Sequence, residues 1–145
     1  MTIPIPLKES LFRITGDTPE GWDSFLEAFY NTFFASSPEV AEKFKRTKLK
    51  HQRLLLRRSL ESMLKMAWST EIPIGLDEIA ERHDRNNLDI RPFLYELWEE
   101  SLIQTVSRVD PYFDEEVENS WRIALDPGIK FMIDHYRATY IPQPD

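Results

Sequence analysis

Apolar side chains recur at steps of three and four residues through almost the whole chain, and no stretch alternates apolar with polar as a half-buried strand would. That pattern leaves helices as the building material. In the most aromatic stretch Trp22, Phe25, Leu26, Phe29 and Phe33 share one stripe, behind Thr18 as N-cap, Pro19 at the first helical position and Glu20 after it. The 145 residues have no internal repeat and are enough for one domain with its own core, so the expected architecture is all-α, a single domain of six to eight unequal helices.

Proline and glycine divide the chain. Pro4 and Pro6 predict an extended arm over residues 1 to 6, followed by a short helix with Leu7, Leu11, Phe12 and Ile14 inward and Gly16-Asp17 at its end. The aromatic helix should end near Ala35, where Ser36-Ser37-Pro38 closes it and caps a further turn through Val40, Ala41 and Phe44. Lys45 to Lys50 reads as a basic, mobile connector. A long helix from about Leu49 to Trp68 then places Leu49, Gln52, Leu56, Leu60, Met63 and Ala67 on one stripe, flanked by Leu55 and Leu64, with Arg53, Arg57, Arg58, Glu61 and Lys65 on a solvated face. Ser69 to Pro73 breaks it. The next helix is short, and its apolar side (Leu76, Ile79, Ala80) leads into His83. A corner over Arg85 to Pro92 opens a central helix bearing Phe93, Leu94, Leu97, Trp98, Leu102, Ile103 and Val106. The last helix, about Phe113 to Tyr136, turns Val117, Trp121, Leu125, Ile129, Met132, Ile133 and Tyr136 inward, should kink at Pro127, and leaves residues 138 to 145 as a loose tail.

Acidic residues outnumber basic ones by 25 to 18, for a formal charge of -7. Long-range attraction to nucleic acid or to a membrane is therefore not expected, and small molecules and proteins are better partners. The absence of cysteine excludes disulfides, thiolate metal sites and cysteine nucleophiles. No signal peptide and no apolar run of roughly 18 residues is found, so the expected location is the cytoplasm. Phosphate-binding glycine loops, paired metal-ligand motifs and a serine nucleophile elbow are missing too.

Tyr30 precedes Pro38 by eight residues and Phe44 by fourteen; His51 and Gln52 follow Phe44 by seven and eight, and His83 lies a further 32 and 31 residues on. In this register the chain resembles a bacterial single-domain globin and the haem domain of flavohaemoglobins, from about Leu7 to Tyr136. The resemblance implies haem b, with His83 as the protein's ligand to iron and Phe44 stacked on the macrocycle. It also implies Tyr30 with Gln52 as donors to bound O2, which would have the catalytic role in any O2 chemistry. Helix register favours Gln52 as the distal residue, since turning His51 inward would bring Lys48, Ser59 and Ser62 towards the core; with His51 inward the iron could be six-coordinate. Phe29, Phe33, Leu55, Leu56, Ile79, Leu88, Ile90 and Trp98 would supply apolar walls, and Lys48, Arg82, Arg85 and Arg91 are within sequence reach of the haem propionates. His135 reads as a surface residue.

The implied function is reversible binding of O2, NO or CO, with NO dioxygenation using an external reductase as the enzymatic form. A gas sensor or O2 store acting through a partner, and a haem-free globin fold used for protein interaction, are the alternatives. Neither the reductase nor dimerisation into a homodimer is decided by the residues.

Overall fold

The computed structural model describes residues 4–67 and 75–138, and these form seven helices and no strand. The helices are α1 (Ile5–Thr15), α2 (Pro19–Ser36), α3 (Pro38–Lys43), α4 (Leu49–Met66), α5 (Leu76–His83), α6 (Pro92–Val109) and α7 (Glu115–Ala138). Local chemistry sets most of their ends. Gly16 takes the left-handed conformation (φ 60°) and its N–H bonds Phe12 O at 2.7 Å, closing α1. Thr18 Oγ1 accepts from Gly21 N at 3.0 Å to start α2, Ser37 Oγ accepts from Glu39 N at 3.2 Å to start α3, and Asp114 Oδ1 accepts from Val117 N at 2.8 Å to start α7. Gly21 is needed for space: a Cβ there would lie 1.7 Å from Thr15 O, so only glycine lets α2 begin this close to the end of α1.

α2 packs most extensively on α6 and also meets α1, α3 and α4, while α7 closes the other side against α1, α4, α5 and α6. Leu7, Leu26, Phe29, Leu60, Leu102, Val106, Trp121 and Leu125 are fully buried where these helices meet.

Several expectations change. Pro4 is extended, but α1 already includes Ile5 and Pro6, because proline is compatible with the first helical turn where no N–H partner is required. Ala138 is still helical. Phe12 and Phe93 are exposed instead of inward, since α1 and α6 each turn another part of their surface to the bundle. Leu49 and Leu55 are also at the surface, and α4 is assigned only to Met66. α7 starts two residues later than Phe113 and runs through Pro127 as one helix. The carbonyl that loses its donor there belongs to the exposed Ile123, where water can serve it. Trp68, the break at Ser69 to Pro73, and residues 1–3 and 139–145 lie outside the described residues.

One buried carboxylate ties the chain's two ends of the core together. Asp110, with no side-chain exposure, accepts from Ser10 Oγ at 2.7 Å, from Arg13 Nε and Nη2 at 2.7 and 2.9 Å, and from Tyr112 N at 2.9 Å; Trp121 Nε1 in turn donates to Ser10 Oγ at 3.0 Å. Burial pushes the Asp110 pKa up, but the donors from Arg13, Ser10 and Tyr112 outweigh it, and the net shift is downward. A carboxylate with a lowered folded pKa contributes stability above its unfolded pKa of about 3.9, and that contribution is lost as pH falls below it. Asp110→Asn should therefore lower the unfolding free energy by about 1 to 3 kcal/mol at pH 7 and flatten the acid limb of stability against pH, both read by denaturant titration.

Candidate functional site

The aromatic face of α2 carries Tyr30 inward. Gln52, one inward position along α4, donates from Nε2 to Tyr30 Oη at 3.2 Å. Tyr30 is only 4% exposed, and burial pushes its pKa up to about 12 against the opposing pull of the Gln52 donor. The phenol is therefore neutral at physiological pH, and among the described residues no acceptor takes its proton. Phe44, just after α3, meets Tyr30 edge-on at 5.7 Å and Phe33 at 6.1 Å, while Phe29 meets Trp98 of α6 at 5.8 Å. His51 is exposed, about 100° round α4 from Gln52.

His83 ends α5. Its Nδ1 lies 2.7 Å from Ile79 O, one turn back, and because a carbonyl can only accept, Nδ1 carries the proton. The lone pair is then on Nε2, which has no hydrogen-bond partner among the described residues. Burial lowers the His83 pKa, the Ile79 carbonyl opposes this, and Arg82 adds to the lowering, so the ring is held neutral. The following corner fixes the helix end: Ile90 N donates to His83 O and Leu88 N to Arg82 O, each at 3.0 Å. Inside the corner the buried Asp84 accepts from Asn86 N and Asn87 Nδ2 through Oδ1, both at 3.0 Å. Tyr136 Oη donates to Asp89 Oδ1 at 2.6 Å, holding the corner on α7.

The fold and this pair of neutral groups invite comparison with solved structures. A Pseudomonas aeruginosa protein, described as structurally highly homologous to a human hemoglobin, matches with a TM-score of 0.80 and 31% sequence identity over 90% of this chain and 95% of that one. The chain belongs to the globin family. No protein-family model and no curated protein matches it.

For a globin, the test is whether these residues suit a haem. Among the described residues no three His, Cys, Asp or Glu side chains cluster to hold a bare metal ion, whereas a haem iron asks the protein for one neutral imidazole. His83 offers that, with its other nitrogen already occupied. Phe44, Ile79, Ile90 and Trp98 are half-buried against the core, and Leu56 is buried; Leu55 and Leu88 (54% exposed) stand at the surface. Of the four candidate cations, Arg91 is paired with Glu39 and lies 4.8 Å over the Phe93 ring, and Arg85 lies 4.6 Å over Tyr136. Lys48 and Arg82 are exposed and carry no ion pair among the described residues. The set fits.

Sequence reasoning missed Tyr95 of α6, which is 8% exposed with an unpartnered hydroxyl and a pKa pushed up by burial. Its spacing of seven and eleven residues from the buried Leu102 and Val106 was the available signal. Asp84, Asp89 and Lys43, whose Nζ donates to Leu88 O at 2.8 Å, were also missed, because they act across long sequence separations or through backbone groups. In haem-free protein the His83 ring should titrate below about pH 6.5 and show the Nδ1-protonated tautomer at pH 7 in 15N-edited NMR. Because the unfolded chain binds that proton more readily, stability should fall as pH drops below about 6.5 towards the folded value.

Proposed function

We propose that this protein is a haem-binding globin that takes a diatomic gas between the haem and the Tyr30–Gln52 pair. One observation carries the reading: His83 spends its Nδ1 proton on Ile79 O and leaves an unpartnered Nε2 lone pair. Bound haem b, which His83 would hold, would supply an iron able to take O2, NO or CO.

The chain's own residues do the rest. The Ile79 carbonyl fixes the His83 ring and raises its basicity as an electron-pair donor. Tyr30, kept neutral by burial, has a proton to give to a ligand atom that gains negative charge, and Gln52 orients the phenol while retaining a second amide proton of its own. Phe44 is the ring for stacking on the macrocycle, and Leu56, Ile79, Ile90 and Trp98 keep water away. Lys48 and Arg82 are the cations for the propionates. The exposed position of His51 supports Gln52 as the distal residue. The finer likeness to flavohaemoglobin haem domains, and with it NO dioxygenation fed by an external reductase, rests on the Tyr30, Pro38 and Phe44 intervals.

Purified protein titrated with haem should develop a Soret band at one equivalent, and a protein that develops none would end this reading. His83→Ala should leave haem displaceable by competing apoprotein, while retention with an unchanged ferrous spectrum would move the iron ligand elsewhere.

Gas release tests the other side. Tyr30→Phe should speed O2 release by roughly 10- to 150-fold, the loss of a hydrogen bond worth about 1.5 to 3 kcal/mol, while changing CO release much less because CO is far less polar when bound. Gln52→Leu should act in the same direction and His51→Leu should not. Acceleration by His51→Leu instead would exchange their roles.

A further inference from the structure

The chain's charge is strongly segregated. Residues 43–58 hold eight lysines and arginines and no carboxylate, whereas the remainder of the protein has ten basic and 25 acidic side chains. Part of the basic charge is internally matched: Lys45 pairs with Glu42, Arg53 with Asp23 and Arg57 with Glu61, and Lys43 is bound to Leu88 O. Arg46, Lys48 and Arg58 have no ion pair among the described residues, and Lys50 feels Asp23 only at longer range. All four are exposed. Along α4 the outward residues Lys50, His51, Leu54, Leu55 and Arg58 span about 12 Å, so Leu54 and Leu55, 45% and 39% exposed, sit between cations. An apolar centre ringed by one sign of charge is the composition of a protein-docking patch.

This patch lies on the other side of the helix that carries Gln52 and continues from the segment that carries Phe44. We propose that it docks an acidic electron-carrier protein that reduces the haem. The inference rests on the haem-binding reading above. Charge complementarity selects the occupant. A small acidic protein touches only the patch, and a Debye length of about 8 Å screens it from the acidic remainder of the chain. An extended anionic membrane or a nucleic acid would also run past the patch onto that acidic surface and be repelled. A small interface of this kind suits a transient redox encounter, in which charge mainly sets the association rate.

The probe is a reduced flavodoxin, an acidic flavin carrier, mixed in stopped flow with the ferric haem-loaded protein. Its rate constant should fall as salt is added, and R46E/K50E/R58E should lower it at least about tenfold at low salt. The equally charged control K8E/K130E/R137E, placed outside the patch, should stay within about twofold. L54S, which leaves charge unchanged, should weaken binding of fluorescently labelled flavodoxin several-fold, and so tests the patch even if the triple variant folds poorly. That binding is measured by anisotropy on the protein as purified, whatever haem it carries. A missing Soret band with patch-dependent flavodoxin binding intact would therefore fault the haem reading. A normal haem spectrum with rates and binding indifferent to R46E/K50E/R58E and L54S would overturn this inference alone. Stronger patch-dependent binding to vesicles of phosphatidylcholine and phosphatidylserine, or to duplex DNA, would also overturn it.

Discussion

The burial of one aromatic helix face is the constraint on which the rest depends. α2 touches α1, α3, α4 and α6, and its inward side is Trp22, Phe25, Leu26, Phe29, Tyr30 and Phe33. These rings are too large to be covered by a single neighbour, so four helices must converge on them. Close approach is enforced at the start of α2 by Gly21 against Thr15 O. A polar tip on one of the rings, the Tyr30 hydroxyl, is then carried into the interior together with the apolar bodies.

Desolvation governs both of the candidate site's polar groups. It keeps Tyr30 protonated and therefore a donor, and it keeps His83 unprotonated and therefore an electron-pair donor. Each is also oriented by a single partner, Gln52 for the phenol and the Ile79 carbonyl for the imidazole. The supports differ in kind. Tyr30 sits among the rings of Phe29, Phe34 and Phe44 on a helix that meets four others, whereas His83 depends on a short helix and a corner held by Asp84, Asp89 and Lys43.

Charge is distributed according to a separate logic. The buried Asp110 hub joins α1, the end of α6 and α7 through fully satisfied hydrogen bonds, and so contributes to the fold. The cations of residues 43–58 are mostly exposed and only partly matched, so they contribute little to stability. Their concentration beside the candidate site leaves recognition as the physical use for them.

The sequence by itself determined the helical class, the caps at Thr18, Ser37 and Gly16 and the inward stripe of α2, because each depends on residues within a turn or two of one another. It also favoured Gln52 over His51 on α4 through the same 100° step between neighbours. Only the tertiary structure decided which apolar residues remain outside. Phe12, Phe93, Leu55 and Leu88 have the right chemistry for a core, but whether a given face is covered depends on a helix distant in the chain. It alone joined Asp110 to Ser10 and Arg13 across about a hundred residues, and Tyr136 to Asp89 across 47. No local period encodes such pairs, since a hydrogen bond between remote side chains forms only after packing has brought them together.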